Sequence, residues 1–323
     1  MIFDTIVGHQ FQVTLLKKAL LTKDELPSRA LLFSGPSGVG KKRVALAWAQ
    51  GLLCEVPDRP CGICPSCLKV KKGHHPDLLI LGLTDGATVK IEQIREVQNF
   101  VSLCSYQGRG KVIIIDEAQA LTPQASNSLL KTLEEPNRGC NFVLITSNKS
   151  AIIPTIQSRC QKILFGPLSG PEIKKVLPDS EDWAINLAQG RVDQALKLED
   201  ENYGKLKTIA LHVLRDLTKV RAFEGFTSLV PLFEERESAL FTTQCWARWI
   251  VFATAKQLGR TVVLDAEEES VISDLARRCP SQTLLILGQK ILRLEQDIQA
   301  NINKALAFEK FWLDAQKEMV NHV

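Results

Sequence analysis

No apolar run in this 323-residue sequence approaches the roughly 20 residues needed to cross a bilayer, so no membrane-spanning helix is expected. The opening Met1-Ile2-Phe3-Asp4 lacks the basic and apolar regions of a secretory signal, and a cytoplasmic, reducing location follows as the expectation. Neither sign of charge dominates: 40 Lys and Arg against 36 Asp and Glu leave +4. That balance permits contact with nucleic acid without demanding it, because phosphate-tracking surfaces concentrate their basic residues on one face. Internal repeats, low-complexity tracts and long polar linkers are also lacking. What is present is apolar material, 45% of the residues, enough for two or three domains. Nine cysteines are present too, and a reducing compartment denies them a disulfide framework.

The stretch LLFSGPSGVGKK, Leu31 to Lys42, has the spacing of the phosphate-cradling loop GxxxxGK[ST], with an apolar strand before it and a helical stripe (Val44, Trp48, Leu52 beside Ala45, Ala49, Leu53) after it. Gly35, Pro36, Ser37, Gly38, Val39, Gly40, Lys41 and Lys42 are therefore the candidate nucleotide-binding residues. Glycines let backbone N–H groups converge on phosphate oxygens, and Lys41 reaches the terminal phosphates. A serine or threonine should hold Mg²⁺ at the next position; Lys42 has no lone pair to offer.

Cys54, Cys61, Cys64 and Cys67 follow directly, with Pro57, Pro60, Gly62 and Pro65 bending the chain between them. Four thiolates in fourteen residues suit a closed tetrahedral Zn²⁺ site, which staples a loop and does no chemistry. An iron–sulfur cluster and free or redox thiols are the alternatives. His74 and His75 read as surface residues beside a metal already satisfied by sulfur. The basic run Lys69, Lys71, Lys72 to His75 reads as a solvated helix end, with DNA contact as the alternative.

Lys111-Val-Ile-Ile-Ile is a buried parallel strand ending in Asp116 and Glu117. In phosphate-loop ATPases the first of these acids holds magnesium and the second polarises the attacking water. A helix over 124–135, stopped by Pro136, and a strand over 141–146 follow, the latter leading to Asn148, either a sensor of the terminal phosphate or a strand cap. Arg159 is expected on an exposed turn before a strand over 162–165. Before the phosphate loop, Phe11, Leu15, Leu16, Ala19 and Leu20 predict an amphipathic helix, and Pro27-Ser28 a break. Strands alternating with helices, with polar groups at strand C-termini, define an α/β doubly wound sheet with its ligand at that edge.

Taken together, Gly35 to Lys42, the four-cysteine insert, Asp116-Glu117-Ala118, the run LLKTLEEP from Leu129 to Pro136 and Ser158-Arg159-Cys160 resemble the clamp-loader ATPases of the AAA+ class. The likeness covers the first 200 residues and extends weakly beyond. Within that class the delta-prime type of the bacterial replicative polymerase (DNA polymerase III) is the most similar, with the gamma/tau type as its sister. The resemblance implies an α/β AAA+ domain over 1–166 with a zinc module near 54–76, a small helical lid over 167–202 and an all-helical collar over 203–323. It implies gamma/tau and delta subunits as partners in a five-subunit ring, a sliding clamp and primed DNA as its objects, and ATP with Mg²⁺ at subunit boundaries. It also makes Arg159 a finger reaching a neighbour's ATP site, and Glu117 a residual catalytic acid.

Two departures favour a non-hydrolysing member. Lys42 replaces the metal-binding hydroxyl, and Asp193 stands where a motor subunit carries a phosphate-sensing arginine, with Arg191 expected on another helix face. A structural stator that lends Arg159 to an adjacent motor is the leading expectation. A working ATPase of the gamma/tau kind and a zinc-dependent DNA-binding protein are the alternatives. After residue 203 the stripes Leu206, Ala210, Val213, Leu217 and Trp246, Trp249, Ile250, Ala253 predict helices, and an amphipathic pattern runs from Leu284 to Ala307.

Overall fold

The computed structural model describes residues 2–21, 30–57, 59–83, 88–134, 139–217 and 230–320. The expected breaks at Pro27-Ser28 and Pro136 lie outside them, as does the side chain of Leu217. The chain forms two compact units, one of Met1–Pro178 with Gln189–Asp193 and the other of Asp179–Ala188 with Gln194–Val323. Residues 167–202 are divided between the two.

The first unit is built on five strands, β1 (Ala30–Ser34), β2 (Leu78–Leu81), β3 (Lys111–Ile115), β4 (Cys140–Thr146) and β5 (Gln161–Leu164). All pair in parallel, in the order β2-β3-β4-β1-β5. β1 and β3 are buried at every residue and show no polar alternation, because helices cover both faces of a parallel sheet. Those helices are α1 (Gln10–Leu21), α2 (Lys41–Leu53), α3 (Pro65–Lys71), α4 (Ile91–Ser102), α5 (Pro123–Glu134) and α6 (Pro154–Arg159), and α7 (Gly170–Val176) follows β5 in the chain. Alternate strand residues serve the two layers. Leu31, Phe33 and Ile114 pack with Val44, Trp48 and Leu16 on one side. Leu32, Ile113 and Leu144 pack with Ile94, Val97 and Leu129 on the other.

In α1 the buried stripe is Val13, Leu16 and Leu20, while Phe11 is 77% exposed. Phe11 precedes Val13 by two positions, about 200° around the helix, so a core-facing Phe11 is corrected to a solvent-facing one. Because β4 lies between β1 and β3, the C-terminal ends of these three strands bring the phosphate loop, Asp116-Glu117 and Ser147-Asn148 to one edge.

The second unit has helices as its only regular elements among the described residues. It holds α8 (Asp182–Leu187), most of α9 (Val192–Leu198), α10 (Glu201–Leu217), α11 (Val230–Phe233), α12 (Arg236–Gln257), α13 (Ala266–Arg278), α14 (Ser281–Gln299) and α15 (Lys304–Val320). Its core centres on Trp246, which stacks on Phe311 with ring centroids 5.3 Å apart and donates its indole N–H to the Ala210 carbonyl at 2.9 Å. Trp249 likewise donates to Glu268 at 3.1 Å, satisfying a polar group inside an apolar bundle. The pattern from Leu284 to Ala307 is two helices, not one. Asn301 takes a left-handed φ of 60° after α14, and the Asn303 carboxamide accepts the Leu306 N–H at 3.3 Å to open α15. No helix among the described residues is long and apolar enough to cross a membrane.

Candidate functional site

The helix α2 carries a candidate site at each end. At its C-terminal end, Cys54 caps the helix and meets Cys61, Cys64 and Cys67, with all four Sγ atoms within 4.8 Å of one another. Neighbouring sulfurs are 3.6 Å (Cys54–Cys61), 4.0 Å (Cys54–Cys64) and 4.0 Å (Cys61–Cys67) apart. The edge of a tetrahedron with Zn–S bonds of about 2.3 Å is about 3.8 Å, so the set fits such an ion. Backbone N–H groups of Cys61, Cys64 and Cys67 point at the preceding cysteine sulfurs at 3.4–3.5 Å. The N–H groups of Ile63 and Cys64 pull the Cys61 thiol down to about 6, while burial pushes Cys54 and Cys67 up.

The cluster is tied to the domain by bonds that the cysteine spacing did not reveal. Gln50 donates to the Cys67 carbonyl at 2.9 Å, and Arg109 to the Cys54 carbonyl at 2.5 Å. His75 is 2% exposed, which corrects its reading as a surface residue; His74 is exposed. The Nδ1 of His75 accepts the Asp77 N–H at 3.0 Å, and its Nε2 faces Ser66 Oγ at 2.9 Å and Gln107 Oε1 at 3.2 Å. Only the fold puts Ser66, between two of the cysteines, against this ring. Lys69, Lys71 and Lys72 are exposed at the end of α3.

At the N-terminal end of α2 the phosphate loop runs from Gly35 to Gly40, whose φ of 98° turns the chain into the helix. Lys41 is buried, and its ammonium bonds to the Gly35 carbonyl at 2.8 Å and the Pro36 carbonyl at 2.5 Å. Burial is the main influence on it and holds its pKa below the ordinary lysine value, against the attraction of Glu117, Asp116 and Asp193. Lys42 Nζ lies 3.1 Å from Asp116 Oδ2. Glu117 sits in the left-handed region at φ 51° and receives the amide of Gln119. Gln119 also donates to Ser147 Oγ at 3.0 Å and accepts from Thr146 Oγ1 at 2.7 Å, so it bridges the ends of β3 and β4. No motif singled out Gln119; its position two residues after Glu117 is the only signal the sequence holds.

Asn148 accepts the Ser150 N–H at 3.0 Å and caps the next turn. Asp193 comes to the loop from the far end of the unit. Ser37 Oγ lies 3.4 Å from its Oδ2, and a Cβ added to Gly38 would stand 1.6 Å from its Oδ1. The Val192 N–H donates to the Gly38 carbonyl at 3.0 Å. Arg191, expected on another face, bonds to Asp193 at 3.1 Å, because it precedes α9 and is not bound by helical spacing. His9 is a further loop contact, with Nε2 2.8 Å from the Val39 carbonyl.

Arg159 is the last residue of α6, not part of an exposed turn. Its guanidinium bonds to the Thr155 carbonyl at 3.0 Å and pairs with Glu134 of α5. Its side chain keeps 35% of its surface in solvent.

A profile of the family described as "DNA polymerase III, delta subunit" matches residues 8–169. The DNA polymerase III subunit delta' of Bacillus subtilis is 39% identical over 162 residues, 50% of this chain and 49% of that protein. The subunit delta' of Pseudomonas aeruginosa is 28% identical over 301 residues, 87% of this chain and 90% of the relative. The subunit tau/gamma of Haemophilus influenzae is 35% identical over 214 residues, 62% of this chain but 30% of its own length. The first of these matches thus spans about half of the relative it aligns with, whereas the second runs nearly end to end. With its parallel sheet and a phosphate loop opening α2, the chain belongs to the DNA polymerase III delta subunit family, as a delta'-like member of the AAA+ clamp loaders.

Proposed function

We propose that this chain is a stator of a bacterial clamp loader: a cytoplasmic delta-prime-type subunit that joins gamma/tau and delta subunits in a five-membered ring and helps place a sliding clamp on primed DNA. In this reading it lends Arg159 to the ATP site of a neighbouring motor and hydrolyses little or no ATP itself. Residues 167–202 serve as the lid and 203–323 as the collar that holds the ring. Cys54, Cys61, Cys64 and Cys67 hold a structural Zn²⁺, which supplies a cross-link and no chemistry, since four sulfurs complete a tetrahedron.

The observation that carries the proposal is the contact of Asp193 with the phosphate loop. A carboxylate against Ser37 and Gly38 opposes the approach of a phosphate, where a motor subunit needs a cation. The direct bond from Val192 to Gly38 joins the segment that should sense nucleotide to the loop that should hold it. Asn148, spent on a turn, and Glu117, tied to Gln119, support the same reading. Arg159, by contrast, keeps solvent access at the end of a short helix, as a donor to a partner requires.

The test is ATP turnover of a loader reconstituted with Arg159→Ala. Ring assembly is expected to be unchanged, while hydrolysis at the adjacent site falls by about 10³-fold, the scale of an arginine finger. Equal turnover with both proteins removes the assignment.

A further inference from the structure

The residues at the nucleotide edge do not fit the magnesium ion that the AAA+ family implies. Mg²⁺ asks for near-octahedral oxygen ligands at about 2.0–2.1 Å and relies on a hydroxyl after the loop lysine together with an acid at the end of β3. In this chain the hydroxyl position is Lys42, and its ammonium stands 3.1 Å from the Asp116 carboxylate that the ion would need. Asp116 is largely covered, its side chain 17% exposed, while the lysine stem reaches it from the solvent side with 55% of its side chain exposed. The remaining acids are engaged as well: Glu117 by the Gln119 amide and Asp193 by Arg191. The charges gathered around the loop therefore balance within the chain, Lys41, Lys42 and Arg191 against Asp116, Glu117 and Asp193.

We propose that the Lys42 ammonium is a built-in replacement for the divalent cation on Asp116. The pocket is then metal-independent. Its ligand class is a nucleoside di- or triphosphate free of metal, held weakly by two adjacent ammonium groups, Lys41 and Lys42, in place of one ammonium and one ion. A nucleotide arriving as its magnesium complex brings two positive charges toward a third and is disfavoured. The same arrangement explains why an acid is retained at the end of β3: Asp116 anchors the lysine. The proposal rests on the stator reading only in taking the pocket to be non-hydrolytic, and its test reads binding alone, so a failed arginine-finger experiment leaves it standing.

The experiment is a calorimetric or fluorescence titration of the full chain with ADP, in EDTA and in excess Mg²⁺, repeated with Lys42→Thr and Lys42→Ala and paired with direct Mn²⁺ titration by electron paramagnetic resonance. The wild-type chain is expected to bind ADP no better, and up to several-fold worse, when Mg²⁺ is added, and to show no Mn²⁺ site at this edge. Lys42→Thr should make ADP binding improve about tenfold with Mg²⁺ and create a Mn²⁺ site that Asp116→Asn removes. Lys42→Ala, which removes the charge without supplying a hydroxyl, should fall between the two. A thermal melt of each variant separates loss of the site from loss of the fold. A roughly tenfold gain with Mg²⁺ in the wild-type chain overturns the proposal. So does a Lys42→Thr chain that remains indifferent to metal, or a complete lack of ADP binding by every protein in both buffers.

Discussion

The two ends of α2 show opposite relations between a motif and its ion. At the C-terminal end four sulfurs lie within 4.8 Å of one another, three of the pairs at 3.6–4.0 Å, and receive backbone N–H groups. At the N-terminal end the loop is as well formed, yet its charges are matched by groups of the same chain: Lys42 by Asp116, Lys41 by two carbonyls, Asp193 by Arg191. A donor set that gains a closed shell by taking up an ion is a binding site. A donor set already paired internally keeps its shape without a metal ion. A motif match alone therefore leaves the question of ligand open, and the partners of its side chains answer it.

The largest effect is expected when the cysteine end is emptied. Replacing Cys61 and Cys64 together with serine, or stripping metal with a chelator, should take bound zinc from one ion per chain to none and remove on the order of 10 kcal/mol of local stabilisation. Hydrogen exchange should then rise through residues 54–76 while the sheet stays protected, and unchanged exchange in a metal-free protein would contradict the stapling role. The corresponding insult at the other end is smaller. Gly38→Ala places a methyl 1.6 Å from the Asp193 carboxylate on a backbone with φ of 70°, and should cost about 1–3 kcal/mol in urea denaturation. Adding Asp193→Ala should recover the steric share and leave the backbone share, about 1 kcal/mol; no recovery would mean that Asp193 does not lie on the loop.

The smallest effect concerns reactivity. With metal removed, Cys61 titrates at about 6, so its thiolate grows as pH rises through that value and is lost below it. At neutral pH an alkylating agent should modify Cys61 before Cys67, whose thiol burial holds upward. Zinc should protect both. Labelling of Cys67 first would reverse the expected order of the sulfurs.

Much of the first unit was legible because its signals are local. β1 and β3 are short runs of Leu, Ile, Val and Phe, the loop glycines have fixed spacing, and the four cysteines fall within one bend of the chain. What escaped depends on contacts distant in sequence or on long side chains. The spacing of Lys42 and Asp116 says nothing about whether a flexible four-carbon stem swings to solvent or to a carboxylate. The approach of Asp193 to Gly38 joins residues more than 150 positions apart. His75 looked like part of a basic surface run because its partners, Ser66, Asp77 and Gln107, carry no periodic signal. The pause between α14 and α15 was hidden by apolar residues that keep helical spacing across Ala300 to Asn303.

ATP turnover by the isolated chain, wild type beside Lys41→Ala, tests most directly whether this phosphate loop is non-hydrolytic. Both proteins are expected to show only background hydrolysis, with or without Mg²⁺. Robust magnesium-dependent turnover that Lys41→Ala abolishes would contradict it and make the chain a motor.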